Sequence, residues 1–130
     1  MLNYKEFIKE KKVSHIVHNK EYEIYICFEN EPYFLRLYAN ADCCSESWFE
    51  KLNTDFDYLI GKEIIDICKS DEPIELEESH RQEYTQNDII RISLSDETFF
   101  DFVLRNASNG YYSGWLDINV QTCNIVMCEE

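Results

Sequence analysis

Tyr22-Glu23-Ile24-Tyr25-Ile26-Cys27-Phe28, followed after a short break by Tyr33-Phe34-Leu35-Arg36-Leu37-Tyr38-Ala39, is the stretch that decides the fold. In the first run Tyr22, Ile24, Ile26 and Phe28 fall on one side, and Glu23, Tyr25 and Cys27 on the other. Only an extended chain turns a period of two into two faces. In the second, Tyr33, Leu35, Leu37 and Ala39 alternate with Phe34, Arg36 and Tyr38. Asn30-Glu31-Pro32 between them is turn chemistry, so the pair predicts an antiparallel hairpin.

Upstream, Val13 to Val17 extends the pattern as a preceding strand, and Tyr4, Phe7 and Ile8 have the spacing of one face of a short helix. Downstream, Ala41-Asp42-Cys43-Cys44-Ser45-Glu46-Ser47-Trp48-Phe49-Glu50 stops the alternation, and Ser47-x-x-Glu50 matches a capping box. The sequence therefore predicts a second short helix from Trp48 to about Asn53, with Trp48, Phe49 and Leu52 turned together to the core. Ile60-Gly61-Lys62 reads as a turn into a strand of Ile64, Ile65, Ile67 and Cys68. A second hairpin follows: Ile90, Ile92 and Leu94, a turn at Asp96-Glu97, then Phe100, Phe102 and Leu104 alternating with Phe99, Asp101 and Val103. After an Asn109-Gly110 turn signal, Trp115 to Val120 and Cys123 to Met127 supply one or two closing strands. The sum is about seven strands and two short helices. That predicts an α+β domain built mainly on an antiparallel sheet, curled or barrel-like.

The chain has 130 residues and 15.6 kDa, the size of one domain spanning 1–130. A hydrophobic fraction of 45% with 15% aromatics is that of a globular protein, although the mean hydropathy is -0.45. The formal charge of -14 and pI near 4.5 argue against binding nucleic acid or an anionic membrane by general attraction. Charge is unevenly placed. Residues 1–20 form a basic arm of five lysines and two glutamates, and 71–88 holds seven acids with Arg81 and Pro73, which reads as a solvated acidic loop. Met1 to Glu6 carries charges where a secretory signal would have its apolar core, and no window approaches the ~18 apolar residues of a membrane span, so the expected location is cytoplasmic.

Six cysteines, at 27, 43, 44, 68, 123 and 128, would suggest disulfides only in a secreted chain. Cys27 and Cys68 lie in apolar strand patterns and read as small buried hydrophobes. Adjacent Cys43 and Cys44 are the most unusual feature. Before a helix N-terminus a thiolate would be stabilised, which makes Cys44 the candidate nucleophile; the histidines, His15, His18 and His80, are then the available bases. Zinc on Asp42, Cys43 and Cys44 with a distant Cys or His is the competing chemistry, but no C-x-x-C is present and no metal is assigned. Three glycines cannot cradle phosphate, no other cofactor motif occurs, and no cofactor is expected.

Two segments carry a family resemblance. Asp42-Cys43-Cys44-Ser45-Glu46-Ser47-Trp48 and Asn106-Ala107-Ser108-Asn109-Gly110-Tyr111-Tyr112-Ser113-Gly114-Trp115 resemble the paired motifs D-C-C-S-x-S-W and N-x-S-N-G-Y-Y-x-G-W of a domain found in bacteriophage, bacterial and large-virus proteins, with Leu59-Ile60-Gly61 matching its L-I-G turn. The resemblance implies a viral or mobile-element origin and brings no activity with it. Both motifs break regular strands and place a Trp beside a tight turn. The binding candidates are therefore Asp42, Cys43, Cys44, Ser45, Ser47, Trp48, Asn106, Ser108, Asn109, Tyr112 and Trp115, either lining a shared polar pocket or satisfying buried groups at a structural corner.

The leading expectation is a small acidic non-enzymatic binding or accessory protein acting through protein contacts in the host cytoplasm. A polyanionic mimic of nucleic acid that blocks a host defence or DNA-binding protein is the alternative, and a Cys44 enzyme a further one. Tyr22–Phe28 and Thr98–Leu104 are apolar on both faces, which leaves open a homodimer or partner interface beside simple self-coverage.

Overall fold

The computed structural model describes residues 3–41, 45–52, 54–72, 84–108 and 114–122. Eight strands form two four-stranded antiparallel sheets. The first has the order β1-β2-β3-β8, with β1 Val13–Lys20, β2 Glu23–Phe28, β3 Tyr33–Ala41 and β8 Gly114–Thr122. The second has the order β4-β7-β6-β5, with β4 Glu46–Lys51, β5 Ile64–Ser70, β6 Tyr84–Leu94 and β7 Phe99–Ser108. The sheets are not closed into a barrel. Among the described residues helix is limited to one turn, α1 at Tyr4–Phe7, and a 3-10 turn, η1, at Phe56–Leu59.

The deciding hairpin forms as its alternation requires: Ile26 pairs with Leu35 and Ile24 with Leu37. Ile24, Ile26, Leu35 and Leu37 are all fully buried and meet Ile90, Ile92, Phe100, Phe102 and Leu104 of the other sheet in one apolar cluster. Aromatic rings fill its centre, with Phe102 at 5.4 Å from Phe49 and 5.3 Å from Phe56 between ring centroids. α1 closes one end. Asn3 Oδ1 caps it by accepting from the Lys5 N–H, the Tyr4 hydroxyl donates to the Ile67 carbonyl at 3.0 Å, and Phe7 meets Phe28 edge-on at 5.4 Å. The predicted turns also appear: Asn30, Gly61 and Glu97 take positive φ of 54°, 84° and 70°. Gly61 N–H donates to Val13 O and Val13 N–H to Lys62 O, which ties the first sheet to the start of β5.

Several expectations need correction. Residues Glu46–Lys51 are a strand, not a capped helix. Trp and Phe side by side suit an extended chain that buries one on each face, and Trp48 and Phe49 are both 3% exposed. Ser47 hydrogen-bonds to Asn106 across the sheet in place of a helical N–H. The stretch read as an acidic loop to residue 88 ends earlier, because Tyr84 to Asp88 already pair with β7 as far as Ser108. Cys68 is exposed, since β5 turns it outward opposite Arg91, whereas Cys27 is buried as expected. The second faces of the apolar strands are uneven: Cys27 and Val103 are buried, Tyr25 is half-buried and Phe99 is 52% exposed. Residues 73–83 and the Cys123 to Met127 strand lie outside the described residues.

His18 gives a pH signature. On β1 it lies edge-on to Phe56 at 5.0 Å, and its Nε2 is buried without a hydrogen-bond partner. Burial pushes its pKa below the usual imidazole value; the Glu21 backbone pulls it back up and the Lys51 charge adds to the fall. The folded chain thus holds this proton less well than the unfolded one. Stability from this group is complete above about pH 6.5 and is lost as pH falls through the folded-state value. Melting between pH 7.5 and 5 should show a steeper loss for the native chain than for His18→Asn; parallel curves would contradict it.

Candidate functional site

The two motif segments are anchored at one corner. β3 ends at Ala41, which pairs with Gly114 at the start of β8, and β4 begins at Glu46, which pairs with Ala107 near the end of β7. Each motif segment thus leaves from and returns to the same corner, where the two sheets approach. Ser47 lies directly opposite Asn106. The Asn106 side-chain amide donates to Ser47 Oγ at 2.9 Å and to the Glu46 carbonyl at 3.2 Å.

Gly114 closes the corner from the other sheet. A Cβ built there would stand 2.0 Å from Ser47 Oγ, 2.8 Å from Asn106 Nδ2 and 2.9 Å from the Asn40 carbonyl. No side chain fits, so glycine is required by close approach rather than by backbone angle. Asn40 also donates through its side chain to Asp117 at 2.7 Å, adding to the backbone ladder between β3 and β8. Asn106 is 5% exposed, yet its Oδ1 accepts no hydrogen bond, and neither does the buried hydroxyl of Ser45. Buried acceptors and hydroxyls left unmatched cost about 1–3 kcal/mol each, so these two atoms mark where a further donor or acceptor would be stabilised.

The two tryptophans directly follow the corner residues Ser47 and Gly114 in sequence. Strand alternation puts Trp48 on the face of β4 opposite Ser47, where it lies against Arg105, its ring centroid 5.7 Å from the guanidinium carbon. Trp115 stands opposite Asn40 on β8 and is 43% exposed. Around Trp48 is a polar network that the sequence reading missed: Trp48 Nε1 donates to Glu50 at 2.8 Å, Arg105 to the same carboxylate at 3.1 Å, and Arg105 Nε to Asn87 at 2.9 Å. Its signal was present in Trp48-x-Glu50, but the helical reading put those two side chains on different faces.

Of the candidate residues, Ser47 and Asn106 are in contact, Ser45 lies two residues before Ser47, and Ser108 is placed by its backbone at the end of β7. Asp42, Cys43, Cys44, Asn109 and Tyr112 lie outside the described residues. Among the described residues no three His, Cys, Asp or Glu side chains are grouped to hold a metal, and no helix is long and apolar enough to cross a membrane.

The fold and corner define a small two-sheet β protein with a pair of sequence motifs fastened to each other. Residues 4–118 match the model of a domain of unknown function, DUF7448, and the chain belongs to that family. It is similar to Uncharacterized protein L278 of Acanthamoeba polyphaga mimivirus, with 40% identity over 116 residues that span 83% of this chain and 86% of the viral one. No solved structure matches it.

Proposed function

We propose that this chain is a non-enzymatic binding or accessory protein of viral origin that works by protein contact in the host cytoplasm, using the rim carried by its two motif segments. The similarity to a mimivirus protein supports the origin. The observation that carries the contact reading is the corner itself: Ser47, Asn106 and Gly114 fasten two non-adjacent motif segments together while leaving Asn106 Oδ1 and Ser45 Oγ unmatched. Holding segments that join strands on a two-sheet frame is how binding residues are positioned in β folds.

Nucleic-acid mimicry has less support. Its motive is the net charge, but several acids on the strands are paired with cations, as in Glu23 with Arg36, Glu50 with Arg105, Asp101 with Arg91 and Asp88 with Lys69. A phosphate-like ridge requires uncompensated charge at regular spacing.

The test compares tagged native protein with Asn109→Ala and Cys44→Ala, made singly, in host cells and by thermal melting. The expected result is loss of a co-purifying host protein with the melting temperature unchanged. Full retention of that protein by both variants would contradict the reading, and a drop in melting temperature alone would assign the motif residues to the corner's stability.

A further inference from the structure

The outer face of the first sheet carries a second cluster of side chains. Leu116, Ile118 and Val120 of β8 pack against the core, so strand alternation turns Trp115, Asp117, Asn119 and Gln121 to the other side. Register sets their neighbours on β3: Trp115 stands opposite Asn40, Asp117 opposite Tyr38 and Asn119 opposite Arg36. Solvent reaches this part of the face. Trp115 is 43% exposed, Asn119 is exposed, and Asp117, Tyr38 and Asn40 are half-buried.

The polar groups beside Trp115 are held in place. Asn40 Oδ1 accepts from the Ala41 N–H at 2.8 Å, and the Asn40 amide donates to Asp117 Oδ2 at 2.7 Å. That fixes a carboxylate two residues along the strand from the indole, about 7 Å away, a span that one sugar ring covers. Asp117 Oδ1, the Trp115 ring N–H and the Asn119 amide make no hydrogen bond among the described residues. The neighbouring cation is already engaged: Arg36 donates to the buried carboxylate of Glu23 and lies 4.3 Å from the centre of the Tyr38 ring. An anionic ligand therefore finds no free cation among these residues, and the net charge of -14 repels it.

We propose that this face binds a neutral oligosaccharide, with one sugar ring lying on Trp115. The C–H bonds on one side of a sugar ring are weakly positive and rest on the negative face of an indole. The hydroxyl groups at the ring's edge need acceptors and donors. Asp117 Oδ1 is an acceptor fixed in advance by Asn40, and the Asn119 amide offers both kinds. A stable protein contact needs roughly 800 Å² per partner, more than one half-exposed indole and three short polar side chains present. The flat setting suits one unit of a sugar chain better than a free small molecule, which a cavity would enclose. The inference goes beyond the protein-contact reading and stands without it, since Asn40, Asp117 and Asn119 lie outside both motifs.

The experiment is a titration of the 15N-labelled full chain with neutral hexasaccharides, namely cellohexaose, chitohexaose, maltohexaose and mannohexaose, and with hexagalacturonate as the anionic control. At least one neutral hexasaccharide should shift the Trp115 indole N–H and the side-chain amides of Asn40 and Asn119 to saturation, leaving the buried Trp48 indole in place. Hexagalacturonate should shift none of them. Trp115→Ala should weaken binding at least about tenfold with the melting temperature unchanged, as expected for an exposed ring, and Trp115→Tyr should restore most of it. Asp117→Asn, which keeps a partner for Asn40 but removes the charged acceptor, should also weaken it. The proposal is overturned if no neutral hexasaccharide shifts these signals at millimolar concentration, if the shifts persist unchanged in Trp115→Ala, or if hexagalacturonate alone binds. It is equally overturned if Trp115→Ala removes a co-purifying host protein while no sugar binds, which would assign the face to a protein contact.

Discussion

Gly114→Ala is expected to destabilise the fold by about 3 kcal/mol and lower the melting temperature by roughly 10 °C. The new methyl would stand 2.0 Å from Ser47 Oγ and 2.9 Å from the Asn40 carbonyl. The hydroxyl can turn away, but the carbonyl belongs to β3, paired along its whole length with β8. Relief therefore requires separating strands at the corner. Adding Ser47→Ala to Gly114→Ala should recover part of the loss, since it removes the nearest atom and leaves the backbone contact. Calorimetric melting of the two variants checks both statements, and a Gly114→Ala protein as stable as the native one would show that the sheets do not approach here.

Phe102→Ala is expected to cost more, about 3–5 kcal/mol, and to leave little folded protein at 37 °C. Phe102 is fully buried, and its ring lies at 5.4, 5.3 and 6.2 Å from those of Phe49, Phe56 and Phe100. These rings come from β4, η1 and β7, so truncation opens a cavity where the three elements meet, and rigid aromatic neighbours close it poorly. Phe99→Ala, three residues earlier on the same strand but half exposed, should cost less than about 1 kcal/mol. Denaturant unfolding of the pair measures the contrast; similar losses would contradict the assignment of inner and outer faces on β7.

How much of this was legible depends on which force decided each element. The β2–β3 and β6–β7 hairpins were readable because alternation, turn residues and burial agree: Asn30 and Glu97 supply the left-handed turn positions and every second side chain enters the core. β4 was misread because a local signal, Ser47-x-x-Glu50, is shared by helix caps and by any strand with polar residues at those positions. What decided it was long-range, namely six successive pairs with β7. The end of the acidic stretch was misplaced for the same reason: Gln86 and Asp88 have low strand preference and are held extended by partners on β7. The corner was half legible. The motifs named Ser47 and Asn106, and only the register placed them opposite each other and gave Gly114 its steric role. The Trp48, Glu50, Arg105 and Asn87 network could not be assembled from sequence while β4 was read as a helix.

The two motif segments are fastened where Ser47, Asn106 and Gly114 meet. Solution NMR of the 13C,15N-labelled chain tests it most directly. Strong nuclear Overhauser contacts are expected from the Gly114 α-protons to the Ser47 β-protons and to the Asn106 side-chain amide, with that amide protected from exchange. Absence of these contacts in a protein whose β2–β3 and β6–β7 cross-strand contacts are intact would contradict it.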